Sequence, residues 1–121
     1  MSVRVYLPTT TATLGDEVAA GEFVVPEGVD LVVAESEEEE AEYAALLTAA
    51  DASTALATAS AVPGLRRVVL VFEADAVPVP GERLPARQLV AAHLDTEDRT
   101  PASDPDDDLA WFIPGELAHL V

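Results

Sequence analysis

The sequence predicts a mixed α+β domain of the α/β class: a mixed sheet of about five strands, two main helices and a short C-terminal helix, forming one domain over residues 1–121. Three observations predict it. The run Val68-Val69-Leu70-Val71-Phe72 is continuously apolar, the pattern of a strand covered on both faces. The Ala-rich stretch from Ser36 to Ser60 carries apolar residues at helical spacing. Strand-like and helix-like segments alternate in the order β-α-β-α-β-β-β-α, with no repeating period. A chain of 121 residues suits one core rather than two.

Each element has a local cause. Val3 to Leu7 is rich in β-formers and reads as a strand ended by Pro8. Thr9, Thr10 and Thr11 then offer cap hydroxyls to a short helix on which Leu14, Val18 and Ala19 share a face, ending at Gly21. Phe23 to Gly28 carries Pro26 and reads as a connection with a brief extended stretch. Asp30 to Glu35 has an apolar middle and predicts a second, central strand. Ser36 and Glu39 form a capping-box pattern at the start of the long helix. Its predicted buried stripe is Tyr43, Leu46, Leu47, Ala50, Thr54 and Ala57, and Pro63-Gly64 stops it.

The strand over Arg66–Phe72 is followed by the Pro-rich connection Val77–Gly81. Ala86 to Asp95 reads as another strand, with Leu89, Ala91 and His93 on one face and Val90, Ala92 and Leu94 on the other. Thr96 to Asp108 is polar, holds Pro101 and Pro105, and predicts a mobile surface loop. A short strand over Leu109–Ile113 and a terminal turn opened by Pro114 complete the chain. Trp111, Phe112 and Tyr6 are expected in the core.

Composition excludes several functions. Six basic residues against 23 acidic ones give a net charge of −17. Such a chain lacks the basic footprint that nucleic acid or an anionic membrane requires. With no cysteine, disulfides, thiolate nucleophiles and Cys-ligated metals are impossible. There is no apolar run long enough to span a bilayer, and no charged-then-apolar N-terminus of the secretory kind, so a cytoplasmic location is expected. The alphabet is also biased: all the basic residues are Arg, Lys and Asn are absent, Ile occurs once and Ala 22 times. Residues of A/T-rich codons are the depleted ones, so drift in a G+C-rich genome accounts for part of the acidity. Salt adaptation is a second source.

Four constellations of residues bear on chemistry. Glu37, Glu38, Glu40 and Glu42 are candidate partner-binding residues, an acidic face for a cationic protein. They also suit the first turn of a helix, where carboxylates meet the macrodipole. Asp104-Pro105-Asp106-Asp107-Asp108 resembles the opening of a calcium loop, but Leu109 and Gly115 stand where an EF-hand needs its Gly and its bidentate Glu. His93 and Asp95 lie two apart on one strand face, too few ligands for a zinc site, and no metal or cofactor is expected. Arg66-Arg67 can hold an anion, yet the surplus of carboxylates makes pairing the better expectation. No nucleophile elbow, P-loop or dinucleotide fingerprint occurs, and no catalytic residue is assigned.

Three blocks carry a family resemblance: Arg4-Val5-Tyr6-Leu7-Pro8, Glu42-Tyr43-Ala44-Ala45-Leu46-Leu47 with Ala49-Ala50, and Trp111-Phe112 with Glu116-Leu117 and Leu120. Together the chain resembles a small uncharacterised protein family of high-G+C actinobacteria, a domain of unknown function. The resemblance implies a cytoplasmic bacterial setting and brings no activity, cofactor or catalytic residue.

The leading functional expectation is a non-catalytic, acidic interaction or regulatory domain that binds a basic protein partner. In its sharpest form the carboxylates imitate the phosphates of a nucleic acid. The alternative is a small-ligand-binding protein or enzyme whose site assembles from distant residues, with Asp95, His93 and Arg87 as acid–base candidates. A homodimer formed through a sheet edge or the terminal helix is a third expectation.

The charge alone yields a first prediction. Like-charge repulsion at −17 is screened as the Debye length falls from about 30 Å at 0.01 M salt to about 3 Å at 1 M. Melting temperature measured in rising sodium chloride should therefore climb. A flat or falling curve would mean that the carboxylates are already compensated within the fold.

Overall fold

The computed structural model describes residues 2–29, 31–34 and 36–120. Its strands are β1 (Val3–Thr9), β2 (Glu22–Val24), β3 (Val32–Val33), β4 (Val68–Ala74), β5 (Arg83–Pro85), β6 (Leu89–Leu94) and β7 (Ala110–Phe112). The helices are α1 (Thr11–Ala20) and α2 (Glu39–Ala59), with short 3₁₀ turns at Ala86–Gln88 and Pro114–His119. Five strands form the main sheet in the order β3-β1-β4-β6-β7, and β2 pairs with β5 in a separate ribbon. The mixed α+β class and the five-stranded sheet agree with the sequence. Within that class the described pairings all run antiparallel rather than in mixed directions.

Strand β4 organises the layers. Val68, Leu70 and Phe72 face a core shared with Leu7, Leu14, Phe23 and Leu117, while Val69 and Val71 face α2. Its uninterrupted apolar run is thus explained by two covered faces. On the first face, Phe23 of the ribbon meets Phe72 edge-to-face at 5.5 Å. Helix α1 closes that side and ends at Gly21, whose left-handed backbone (φ 72°) lets its N–H reach the Glu17 and Val18 carbonyls.

Helix α2 departs from the sequence reading at its start and on its buried face, and ends within a residue of the expected Ser60. It begins at Glu39, with Glu38 as cap; Ser36 Oγ accepts the Glu38 N–H (3.2 Å), so the Ser36–Glu39 capping box does not form. It ends at Ala59, ahead of Pro63. Ala61 takes the left-handed conformation (φ 50°), donating to the Thr58 carbonyl, while Val62 donates to that of Ala57. This is a Schellman closure with alanine in the usual glycine place. The fully buried positions are Ala45, Ala49, Ala50, Ser53 and Ala57. Small residues are favoured there because they let the helix backbone lie close on the sheet. Of the predicted stripe, Ala50 and Ala57 are buried, Leu46 and Leu47 only partly, and Tyr43 and Thr54 are exposed.

Other boundaries also move. Pro8 does not end β1 but pairs with Val69 inside it. Strand β3 pairs with β1 only at Val5 and Tyr6, so no ladder partner is lost on that side at a residue without an N–H. The predicted second strand shrinks to the two residues of β3, at the sheet edge rather than its centre, with Val33 exposed. Asp30 and Glu35, its predicted ends, lie outside the described residues. In β6 the alternation holds for Ala91–Leu94, but a bulge at Val90 brings Leu89 to the same face as Ala92 and Leu94. The segment 86–88, predicted as strand, is a 3₁₀ turn instead.

The buried hydroxyl of Ser53 links the layers: it donates to the Thr9 carbonyl (2.6 Å) and accepts the Val68 N–H (2.9 Å). Ser53→Ala would strand two buried backbone groups and should cost about 2–4 kcal/mol in a denaturant melt. Leu47→Ala, at a half-buried site, should cost less than the ~2–5 kcal/mol of a fully buried leucine. Equal losses would place the load of the helix on its leucines rather than on its small-residue face.

Candidate functional site

Helix α2 packs chiefly on β1, β4 and β3, which leaves the β6–β7 half of the same sheet face partly bare. The result is a groove of about 380 Å³ between helix and sheet. Its floor is Val71, Ala91 and His93, its helix wall is Glu39, Tyr43 and Leu46, and Trp111 stands at the far side. Glu39, Tyr43 and Leu46 are spaced i, i+4, i+7, so α2 has two apolar-bearing stripes: alanines to the sheet and this flank to the groove.

Trp111 is the clearest departure from the sequence reading. It is 60% exposed, whereas Phe112 packs against the opposite core and Tyr6 is buried under α2. Strand alternation forces the division, because neighbouring residues of β7 point to opposite faces: the Phe112 face meets the core, whereas on the other face the α2-side cluster reaches Ala91 and Leu109 and leaves Trp111 in water. Trp111 sits directly across from His93 in the ladder. Tyr43, 46% exposed, donates its hydroxyl hydrogen bond to Asp108 Oδ1 (3.2 Å). That carboxylate, with Asp106 adding to it, holds the phenol above its usual range.

The candidate acidic residues divide. Glu37, Glu38 and Glu40 are exposed around the helix start. Glu42 lines the groove and is paired with Arg4 (3.1 Å), which also holds Glu73 (2.8 Å). Glu39, which sequence reasoning reserved for the capping box, is free of that duty and lines the groove. Its place on the Tyr43–Leu46 flank was the available signal.

The acid–base candidates are not brought together. The carboxylate of Asp95 is consumed by Arg67: Oδ2 accepts the Arg67 backbone N–H and Nε–H, both at 2.8 Å, and Oδ1 accepts from Nη2 at 2.8 Å. Arg67 is only 1% exposed, and it also donates to the carbonyls of Pro105 and Asp107. Its hydrogen bond to Asp95 holds the guanidinium above its ordinary value. His93 lines the groove without Asp95 or Arg87 in its wall, and Arg87 is exposed on the 3₁₀ turn before β6. Arg66 pairs with Asp98 at 2.9 Å, as the carboxylate surplus led one to expect.

The segment 96–108 is polar and largely exposed, yet it is tied down by Arg67 and by Arg99, which donates to the Asp104 carbonyl (2.7 Å) and Asp107 Oδ2 (3.3 Å). Its aspartates diverge: Asp104 Oδ1 accepts the Asp106 N–H, while Asp108 serves Tyr43. Among the described residues no group of three His, Asp or Glu is arranged to hold a metal ion. A larger cleft, about 520 Å³, opens beside the start of α1 between Leu14, Asp16, Arg66 and Phe112. Of its charged groups, Arg66, Asp95 and Asp98 are already paired, which leaves Asp16.

Residues 3–121 match a family of unknown function (DUF6912), and the chain belongs to that family. No curated protein and no solved structure matches it. No helix among the described residues is long and apolar enough to cross a membrane.

One titration follows from the groove. Burial pushes the His93 imidazole below its ordinary value of 6.5. The unfolded chain therefore takes up this proton first as pH falls, so His93 subtracts stability from about pH 6.5 downward through its folded pKa. His93→Gln should lose less stability than the parent between about pH 6.5 and 5, read from urea melts at each pH. Parallel curves would remove the imidazole from the pH response.

Proposed function

We propose that this domain is a non-catalytic interaction module that receives a basic, partly apolar segment of a protein partner in the groove between α2 and β6–β7. The observation that carries this reading is that exposed Trp111 and Tyr43 line one groove on a partly uncovered half of the sheet, bordered by carboxylates. Large aromatics left in water at that density are characteristic of binding surfaces. Glu39 and Glu42 on one wall and Asp106 and Asp108 near Tyr43 set the sign of the partner, with Arg4 the cation at that rim. An Arg or Lys over the indole would gain a cation–π contact in addition to the carboxylates. The alternative of an enzyme has less support, because Asp95 is engaged by Arg67 and His93 stands apart from it. Self-association through this face is opposed by the charge of −17 on each copy. The setting we infer is the cytoplasm of a high-G+C actinobacterium, supported by the Lys-free, Ala-rich composition.

A photo-crosslinking residue at position 111, compared with one at the exposed Thr58, tests this in extract of the host. Position 111 should capture basic proteins that position 58 does not. Capture should weaken with salt and fall sharply in Glu39→Lys, with Glu37→Lys affected less because Glu37 stands away from the groove. Identical captures at the two positions, or indifference to Glu39→Lys, would sink the reading.

A further inference from the structure

Resting on that reading of the groove, we propose that its occupant is a single basic amphipathic helix of the partner, lying beside α2 across β6 and β7. Width is the first argument. Neighbouring strands are ~4.8 Å apart and a helix with its side chains is ~10–12 Å wide, so the partly bare β6–β7 strip takes one helix and no more. Strands β3, β1 and β4 already carry α2, so the occupant completes a layer of two helices on five strands. The helix wall is the second argument. Tyr43 and Leu46 on the α2 flank, with Ala91 on the floor, form a surface against which an apolar stripe at i, i+3, i+7 can pack. Charge is the third: Glu39 and Glu42 border one end, and Asp106 and Asp108 stand by Tyr43, so cations are wanted at the margins of the stripe.

An added β-strand fits less well. Strand β7 offers only the three residues Ala110–Phe112, and Pro114 follows one residue beyond it. Edges this short, with a proline close by, are poor templates for strand addition.

Trp111 is the only tryptophan in the chain, so its fluorescence reports this groove directly. Three Trp-free peptides of one Leu/Ala/Arg composition serve as probes. Each has about 14 residues, the length of helix that spans the ~20 Å of β6. The first is stapled as a helix with its leucines on one face, the second is stapled with leucines scattered, and the third alternates leucine and arginine as a strand would. The first should shift Trp111 emission to the blue at low salt, and its affinity should drop about tenfold or more in Ala91→Glu and in Val90→Glu. The second change lies at an exposed bulge position, so it reads out even where Ala91→Glu fails to fold.

Equal binding of the scattered helix would reduce the effect to bulk charge and overturn the proposal. A blue shift with the alternating peptide alone would overturn the helix while leaving the docking surface in place. No shift with any peptide would also overturn the helix, and crosslinking from position 111 would then decide separately whether the groove binds protein.

Discussion

The buried guanidinium of Arg67 is the interaction on which the site depends. It sits where the chain enters β4, 1% exposed, and binds Asp95 at the exit of β6 through two side-chain contacts. Asp95 also exchanges backbone bonds with Arg67, giving its N–H to the Arg67 carbonyl and accepting the Arg67 N–H on its carboxylate. A buried ion pair of this kind adds little net stability over an apolar pair, because desolvation offsets the attraction. Its effect is positional. The same guanidinium holds the carbonyls of Pro105 and Asp107, so the segment leaving β6 is drawn back across the end of the sheet. That path delivers Asp108 to Tyr43 and sets Ala110–Phe112 in register against β6, with Trp111 opposite His93. Losing one partner of such a pair costs about 3–5 kcal/mol, and here it would also release the strand that carries the indole.

The groove is a consequence of unequal covering. One face of the sheet is closed by α1, the β2–β5 ribbon and the terminal 3₁₀ turn, and its residues are buried across from Leu7 to Leu117. The other face has one helix for five strands. Alanines and Ser53 along α2 bring it close to β1 and β4, which fixes the helix over that half. The larger side chains of α2 therefore fall to its flanks, where Leu46 is half covered and Tyr43 reaches into the opening. A helix that buried Tyr43 and the leucines instead would stand farther from the sheet and would spread across the strip that is now bare.

What the sequence revealed follows the same division. The doubly covered β4 was plain because burial on two faces writes an unbroken apolar run, and α1 was plain because Gly21 marks its end. The face of α2 was misread because large apolar residues attract attention, whereas a helix lying close to a sheet selects small ones such as Ala45, Ala49 and Ser53. β3 looked central because Leu31-Val32-Val33 is apolar; nothing local says that only two residues pair. The ribbon strands β2 and β5 are three residues each, too short for alternation to register. Of the site, the acidic start of α2 was visible, but the part played by Glu39 and the exposure of Trp111 were not. Both depend on which half of the sheet α2 occupies, a tertiary fact with no local signature beyond the helical spacing that puts Glu39 on the flank of Tyr43 and Leu46. The bond from Arg67 to Asp95 spans 28 residues, and only the excess of carboxylates hinted at it.

Amount and placement of charge have separate causes. A bias in codon use would act on every position alike, adding carboxylates and arginine without regard to their place in the fold. It has no means of keeping aromatic side chains in water. Five of the six arginines are occupied in ion pairs, at Arg4, Arg66, Arg67, Arg83 and Arg99. These pairs consume local cations and leave the excess negative charge unopposed at the surface. Among the described residues that excess borders a partly bare apolar strip at the margin of α2 and β7, where Trp111 and Tyr43 lie among the carboxylates. An apolar strip in a neutral protein of this size would invite a second copy of the chain. At −17 each copy repels the other, which opposes that contact. On the reading proposed above, the same acidity would act on this surface as a filter, disfavouring self-association and favouring a cationic partner.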